Sequence, residues 1–220
     1  MSHQVVIIGA GFGGIGMAIA LKRAGLEDFV VLDRADDLGG TWRDNSYPGL
    51  TCDIPSQLYS FSFRPWRWSR RFPARDEILA YLHALVAEHG LRPHLRFGAG
   101  VADAEFDQDQ ALWTLTLGDG ETLQATAVVS AVGQLGHPVL PDIPGRDDFA
   151  GPSWHSARWN HEVGLAGRRV AVVGTGASAF QIVPTIADEV ERLTVFQRTA
   201  PWMFPNPHYH DQVGPGAKWA

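Results

Sequence analysis

Cysteine is nearly absent from this sequence of 220 residues, because Cys52 is the only one. A lone thiol cannot form a disulfide within the chain, and it cannot provide a CxxC redox pair or a paired-cysteine zinc site. His208 and His210 stand two positions apart, but a metal site would need further ligands, and none is arranged near them in the sequence. The sequence therefore predicts neither a disulfide nor a metal site.

Long apolar runs and an excess of basic residues are missing as well. No apolar run approaches the length of a membrane span, and the N terminus lacks the basic region and cleavage site of a signal peptide. The 18 lysines and arginines are outnumbered by 24 acidic residues, and the formal net charge is −6. This balance argues against a nucleic-acid surface. We therefore expect a cytoplasmic protein that binds no nucleic acid and does not cross a membrane.

Glycine, in contrast, is abundant, and the first three glycines follow a nucleotide-binding spacing. Gly9, Gly11 and Gly14 form a G-x-G-x-x-G motif between an apolar run and a helix-forming stretch, and a second apolar run ends at Asp33. Such glycines permit the tight turn, the approach of a pyrophosphate and close helix–strand packing, and the acid accepts hydrogen bonds from ribose hydroxyls. The surrounding strands, helix and acid favour a dinucleotide-binding unit over a merely glycine-rich turn.

The same pattern returns near residue 174. Gly174, Gly176 and Ala179 give G-x-G-x-x-A, and Arg198 follows Gly174 at the spacing that separates Asp33 from Gly9. An acid at this position repels a 2′-phosphate, whereas an arginine binds it through bidentate, charge-assisted bonds. The first unit therefore suits FAD or NAD, and the second suits NADPH. The alternative for the arginine is a solvated charge at a strand end. The further predicted contacts of the second unit are Thr175, Ser178 and Thr199.

The remaining pattern predicts an α/β fold with two Rossmann-type dinucleotide-binding units, of which the first contains a β-meander. Residues 76–89 have one apolar helical face, residues 101–106 and 112–117 are predicted strands, and a hairpin is expected at 118–120. Residues 123–126 and 127–132 are predicted as a returning strand followed by a separate buried strand. In the second unit, the helix is expected to end or to be interrupted near Pro184, and no third parallel strand is visible. The second unit is therefore predicted to be incomplete.

The loop at residues 34–53 contains paired glycines and large aromatic residues. From composition alone, a site for a planar ring system and an ordinary surface loop with buried aromatics are equally good interpretations. The motif Gly39-Gly40-Thr41-Trp42, then Tyr47-Pro48-Gly49 and Asp53, resembles the flavin loop of Baeyer–Villiger monooxygenases, which belong to the flavin-dependent monooxygenases.

This resemblance implies roles for individual residues. Thr41, Trp42 and Asp53 would lie on the flavin together with Gly40, and Asp53 would be the catalytic residue, orienting a cationic partner beside the flavin. Tyr59 would be a further flavin contact. The backbone of Val101 would hold the adenine.

A second motif, Phe149-x-Gly151-x3-His155-x3-Trp159, resembles the family's other fingerprint, although Asn160 departs from its last position. In the family this histidine lies at the junction of the two nucleotide domains and supports domain movement, and Trp159 shares that interdomain role. The alternative role for His155 is that of a hydrogen-bonded linker histidine, and in this chain the two roles nearly coincide. We therefore predict an FAD-binding domain at residues 1–140, a linker at 141–165 and an NADPH-binding domain at 166–220.

The resemblance also implies an activity. In the family, NADPH reduces FAD, the reduced flavin traps O2 as a C4a-peroxide, and one oxygen atom is inserted into a ketone. The family's peroxide-stabilising arginine lies beyond the matched stretch. We therefore expect an N-terminal portion that is inactive alone and lacks a C-terminal half. The alternatives are an N- or S-hydroxylating flavin monooxygenase and an inactive FAD-binding remnant. A dithiol–disulfide flavoprotein reductase would need two cysteines beside the flavin, so the single cysteine excludes it.

Overall fold

The structure, a computed structural model, describes residues 2–214; residue 1 and residues 215–220, the end of the predicted NADPH-binding domain, lie outside the described residues. The described chain has a mixed α/β architecture, as predicted. Its strands are β1 (Ser2–Ile8), β2 (Phe29–Leu32), β3 (Leu95–Arg96), β4 (Val101–Asp107), β5 (Leu112–Leu117), β6 (Thr122–Ser130), β7 (Arg169–Val173) and β8 (Arg192–Phe196). Its helices are α1 (Phe12–Arg23), α2 (Thr41–Asp44), α3 (Arg75–Glu88) and α4 (Ala177–Ile186).

The chain forms two compact units, each built from two separate stretches. The first unit contains residues up to 43 together with 79–137, and the second contains 44–78 together with the residues from 138 onward. The segment 44–78 therefore packs with the second dinucleotide-binding motif, although it follows the first motif in sequence. The predicted nucleotide-binding domains at 1–140 and 166–220, with a linker at 141–165, are continuous ranges, whereas each compact unit combines two separate stretches. The predicted domain bounds therefore stay a prediction.

A six-stranded sheet forms the first unit, in the order β3-β2-β1-β6-β5-β4. β1 lies between β2 and β6 and is parallel to both, and its register pairs Ile8 with Leu32 and with Ser130. β4 and β5 complete the sheet as antiparallel strands. The β-meander predicted for the first unit is thus present, and the hairpin predicted at 118–120 closes it between β5 and β6.

The strand β6 differs from the sequence expectation. A returning strand at 123–126 and a separate strand at 127–132 were expected, but residues Thr122–Ser130 form one continuous strand. Its first part pairs antiparallel with β5, and its main part pairs parallel with β1. The two expected strands form one because residues 122–130 contain no glycine, proline or asparagine that would favour a turn between them.

The core of the first unit lies between the central strands and the meander. Val6, Leu32, Leu115 and Leu123 belong to one buried cluster, whereas Ile7, which points to the opposite face of the sheet, approaches the helix α1 at Gly14. Alternate residues of one strand thus serve two different layers. Burial on both faces is what a parallel strand at the centre of an α/β sheet requires.

The second unit contains the parallel pair β7–β8 and the helix α4. Leu165, Ile182 and Ile186 form its buried cluster with Tyr47. The helix α4 was expected to end or be interrupted near Pro184, and it ends at Ile186, two residues after this proline. The burial of Ile186 favours this continuation, because the apolar contact offsets part of the cost of proline within a helix.

The length and apolar character of the helices bear on the expectation that the chain does not cross a membrane. Within residues 2–214, no helix has both the length and the apolar character needed to cross a membrane.

A core substitution should test the packing of the first unit. Leu115→Ala removes a fully buried side chain from β5, so we expect it to lower the free energy of unfolding by about 2–5 kcal/mol. Leu135→Ala is the matched control, because Leu135 is 81% exposed and should cost no more than about 0.5 kcal/mol. Urea denaturation measures both values, and equal losses would contradict this description of the core.

Two adjacent glycines of α1 offer a sharper comparison. A Cβ on Gly14 would lie 1.8 Å from the carbonyl oxygen of Gly9, whereas a Cβ on Gly13 would meet its nearest atom, the Cβ of Ala131, at 3.6 Å. Gly14→Ala should therefore destabilise the chain by about 3 kcal/mol or more, because backbone atoms must move. Gly13→Ala should be neutral or stabilise by about 0.5–1 kcal/mol. Similar thermal unfolding of both variants would rule out the close helix–strand contact.

Candidate nucleotide-binding sites

The first site is built on the turn between β1 and α1. Gly9 has φ +107°, and its N–H donates to the carbonyl of Leu32 at 2.7 Å. A Cβ here would lie 2.5 Å from the carbonyl oxygen of Ala131. Glycine is therefore required at this position both by the backbone conformation and by the neighbouring strand end.

The helix α1 presents an N terminus that suits an anion. Its N-cap residue is Gly11, no side chain caps it, and its first turn contains no acidic residue. The helix dipole is thus not neutralised by the chain itself, and backbone N–H groups at a helix N terminus bind phosphate oxygens. The turn fits the diphosphate of a dinucleotide.

The loop after β2 returns to this turn through paired glycines. The N–H of Gly39 donates to the carbonyl of Ala10 at 2.9 Å, and a Cβ on Gly40 would lie 3.2 Å from the Cα of Gly11. Gly11 and Gly40 thus face each other without side chains between them. The structure brings Gly40 to the first site, and its predicted contact with the cofactor stays a prediction.

Asp33 lies at the end of β2 and is only 7% exposed. Its Oδ2 accepts from the N–H of Ala10 at 2.7 Å, and its Oδ1 accepts from the N–H of Ala35 at 3.0 Å and from Nη1 of Arg43 at 3.1 Å. A carboxylate offers about four acceptor positions, so capacity for a ribose hydroxyl remains. The ribose contact stays a prediction, while the structure shows that Asp33 also fixes the glycine turn.

Sequence reasoning did not find Arg43. It lies ten residues after Asp33 in the flavin-loop motif, between fixed positions of that motif, and no spacing rule points to it. The neighbouring Trp42 is buried and Thr41 is exposed, whereas Val101 is half-buried at the start of β4. Their predicted cofactor contacts stay predictions.

The second site repeats the backbone of the first. Gly174 has the same φ of +107° as Gly9, and its N–H donates to the carbonyl of Phe196 at 2.9 Å. Gly176, the N-cap of α4, has φ −73° and ψ −176°, close to the φ −83° and ψ −165° of Gly11. The helix α4 likewise has no side-chain cap and no acid in its first turn. This turn also fits a diphosphate.

Polar residues surround the second turn at the end of β8. Thr175 Oγ1 donates to the carbonyl of Thr199 at 3.4 Å and accepts from Gln197 Nε2 at 3.0 Å. Arg198 lies between these partners in sequence and is exposed. The structure thus brings Thr175 and Thr199 together, and it leaves the arginine accessible at the position that reads the ribose in this motif.

The later part of the flavin-loop motif packs on α4 within the second unit. The Tyr47 hydroxyl donates to Gln181 Oε1 at 3.2 Å. Burial raises the pKa of Tyr47; a hydrogen bond with Ser178 lowers this pKa, and the charge of Asp53 raises it. A Cβ on Gly49, which has φ +79°, would lie 2.6 Å from the carbonyl oxygen of Gln181. This glycine therefore allows the loop to contact the helix.

Gln181 is the centre of this contact, and sequence reasoning missed it. It is 9% exposed, and its Nε2 donates to the carbonyl of Thr51 at 2.9 Å and lies 3.3 Å from the Tyr209 hydroxyl. Tyr209 and Thr51 share a further hydrogen bond of 2.6 Å. A glutamine following the second motif carries no signal of burial, because the partners are distant in sequence.

The lone cysteine is part of the same segment and is shielded from solvent. Cys52 is buried, and burial raises the pKa of its thiol to about 11. The thiol is therefore protonated at neutral pH, and a protonated thiol is a poor nucleophile. Asp53 beside it is exposed and Tyr59 is half-buried, so both predicted flavin contacts lie in the second unit.

The predicted interdomain residues also belong to the second unit. His155 Nδ1 accepts from the N–H of Ala157 at 3.0 Å and caps a short 3-10 helix. Trp159 packs edge-on against Trp154, with ring centroids 5.6 Å apart. These contacts agree with the hydrogen-bonded linker alternative for the histidine, and the interdomain role stays a prediction. Among residues 2–214, no group of three or more His, Cys, Asp or Glu side chains could hold a metal ion.

Comparison with known proteins identifies the family. Residues 6–218 match the family described as pyridine nucleotide-disulphide oxidoreductase. Over 203 residues the chain is 55% identical to a Baeyer–Villiger monooxygenase of Streptomyces coelicolor, and this match covers 92% of the chain and 39% of that protein. It is 38% identical to the phenazine N-monooxygenase PhzNO1 of Lysobacter antibioticus, covering 92% of the chain and 38% of that protein.

Solved structures give the same result. A cyclohexanone monooxygenase mutant of Rhodococcus sp. Phi1 bound to NADP+ superposes with a TM-score of 0.92 at 39% identity, covering 99% of this chain and 42% of that one. The OTEMO complex with FAD and NADP superposes with a TM-score of 0.91 at 34% identity, covering 98% of this chain and 42% of that one. The chain spans about two fifths of the length of these relatives. The chain belongs to the pyridine nucleotide-disulphide oxidoreductase family, and within it the chain matches the N-terminal part of Baeyer–Villiger monooxygenases.

Proposed function

We propose that this chain is the nucleotide-binding, N-terminal portion of an NADPH- and FAD-dependent monooxygenase that inserts one oxygen atom of O2 into a ketone. The observation that carries the proposal is the repeated turn. Gly9 and Gly174 share a φ of +107°, but Asp33 follows the first turn and the exposed Arg198 follows the second. The identity of 55% to a Baeyer–Villiger monooxygenase supports the reaction class.

FAD is the proposed ligand of the first site. The uncapped N terminus of α1 and the facing glycines Gly11 and Gly40 provide room and a favourable field for its diphosphate. Asp33 would accept from the ribose. Thr41, Trp42, Asp53, Tyr59 and Val101 are the contacts implied by the family motif.

NADPH is the proposed ligand of the second site. The turn from Gly174 to Gly176 would hold its diphosphate at the N terminus of α4. Arg198 would bind the 2′-phosphate, and Thr199 would add a hydroxyl contact. Two nucleotide sites of opposite ribose preference are what a reaction needs when NADPH must reduce FAD without competing for its site.

The overall reaction consumes a ketone, O2, NADPH and a proton, and it yields an ester or lactone, NADP+ and water. The bound cofactors supply the hydride and the reduction of O2. The chain itself would bind and orient the two nucleotides, and Asp53 would orient a cationic group. The matched relatives are more than twice as long as this chain, so we propose that turnover needs a further part of the protein.

The identity to a phenazine N-monooxygenase supports one second candidate, oxygen transfer to nitrogen. The nucleotide sites would be unchanged, because both reactions draw on the same cofactors. Product analysis with a ketone, an amine and a sulfide, on a form of the protein that turns over, separates the candidates.

Replacing Arg198 tests the NADPH assignment. Arg198→Ala should weaken NADP+ binding about 10- to 100-fold, because charge-assisted hydrogen bonds to the 2′-phosphate contribute about 1.5–3 kcal/mol. NAD+ binding should be unchanged. Arg192→Ala is the matched control, since Arg192 is an exposed arginine at the start of the same strand. Titration calorimetry measures the affinities of the wild type and both variants for NADP+ and NAD+, and an equal loss for the two ligands in Arg198→Ala would argue against a 2′-phosphate contact.

The purified chain should bind FAD as a yellow chromophore but should not oxygenate a ketone. The proposed reason is that the matched portion holds nucleotide sites without the remainder present in its relatives. Absorption spectroscopy under nitrogen shows whether NADPH bleaches the bound flavin, and chromatography shows whether an ester forms in air. Ester formation would contradict the proposed incompleteness. A stable yellow chromophore that NADPH does not bleach would favour the inactive remnant.

A further inference from the structure

Four residues of the second unit form one hydrogen-bonded group, which we call the Gln181 cluster: Tyr47 and Gln181, which are buried, and Thr51 and Tyr209, which are half-buried. Gln181 accepts from the Tyr47 hydroxyl and donates to the Thr51 carbonyl. A side-chain amide has a separate acceptor oxygen and donor nitrogen, so it can accept and donate at once without carrying a charge. Loss of these bonds would leave buried polar groups without partners, which is costly.

The Gln181 cluster attaches one particular segment to one particular helix. The segment Tyr47–Asp53 contacts Gln181 of α4 through Tyr47 and Thr51. It also approaches Thr185 at Gly49, because a Cβ added to this glycine would lie 2.2 Å from the threonine Oγ1. No larger residue fits at Gly49 without moving α4. The segment therefore lies directly on the helix.

The same helix begins at the second nucleotide turn. Gln181 follows the N-cap Gly176 by five residues, little more than one helical turn. Ser178, in the first turn, lowers the pKa of Tyr47 through its side chain. A nucleotide that immobilises the first turn would therefore also act on the residues that hold the segment.

We propose that Gln181 is a positioning residue that fixes the segment Tyr47–Asp53 on α4, so that nucleotide binding at Gly174–Gly176 orders the segment that carries Asp53. This rests on the proposed NADPH site. The physical reason is that opening of the segment requires the Gln181 bonds to break, and a helix stabilised by its ligand opens less often. Asp53 would then be held in place for a larger fraction of the time when the second site is filled.

Hydrogen–deuterium exchange on the 220-residue chain, with and without NADP+, tests this proposal. In the wild-type chain, NADP+ should slow exchange in residues 174–178 and also, about fivefold or more, in residues 50–54. In Gln181→Leu, which has a similar volume without polar atoms, protection of 174–178 should remain and protection of 50–54 should be lost. Phe180→Leu is the matched control on the same helix, because Phe180 is 53% exposed, and it should behave as wild type.

The possible outcomes separate the two proposals. If NADP+ protects neither segment in the wild-type chain, the NADPH site is wrong. If it protects 174–178 but not 50–54, or if Gln181→Leu keeps protection of 50–54, the positioning role of Gln181 is wrong. Circular dichroism shows whether Gln181→Leu folds. If it does not, Tyr47→Phe decides, because it removes one hydroxyl and should reduce the protection of 50–54 relative to wild type; unchanged protection would overturn the proposal.

Discussion

The first unit depends on the contact between the helix α1 and the strand β1 at two glycines. The carbonyl of Gly9 lies where a side chain on Gly14 would begin, so the helix can approach the strand only without a Cβ. This approach brings the helix N terminus to the end of β1, where Asp33 and the loop glycine Gly40 also converge. One steric constraint therefore determines where the helix N terminus, Asp33 and the loop glycine meet.

The two nucleotide turns share a backbone but differ in their surroundings. In the first, the end of β6 leaves no room beside Gly9, whereas a Cβ on Gly174 would have no described atom within 4 Å. The first turn is thus fixed by neighbours on several sides. The second has its closest described partners in β8 and in the segment that follows it. The difference between acid and arginine at the strand ends is therefore not the only one between the sites.

Much of this organisation could be predicted from the sequence, because it depends on local rules. The glycine spacings, the two apolar strands of each unit and the contrast between Asp33 and Arg198 all follow from residue type and position. The continuity of β6 was missed because an antiparallel and a parallel pairing can occupy one strand, and neither leaves a mark in the pattern. Gln181 and Arg43 were missed for a related reason, since their partners are set by tertiary contacts rather than by spacing.

The flavin-loop motif is divided between the two units, and this matters for recombination among relatives. Gly39 to Arg43 pack in the first unit, whereas Tyr47 and Gly49 pack against α4 in the second. An exchange of the whole N-terminal nucleotide domain between two homologues would therefore separate the loop from the helix surface with which it evolved. Because the first unit also contains residues 79–137, a chimaera keeps both sets of packing partners together only if it exchanges residues up to 43 together with 79–137. One boundary of such a chimaera thus lies inside a motif that is continuous in sequence.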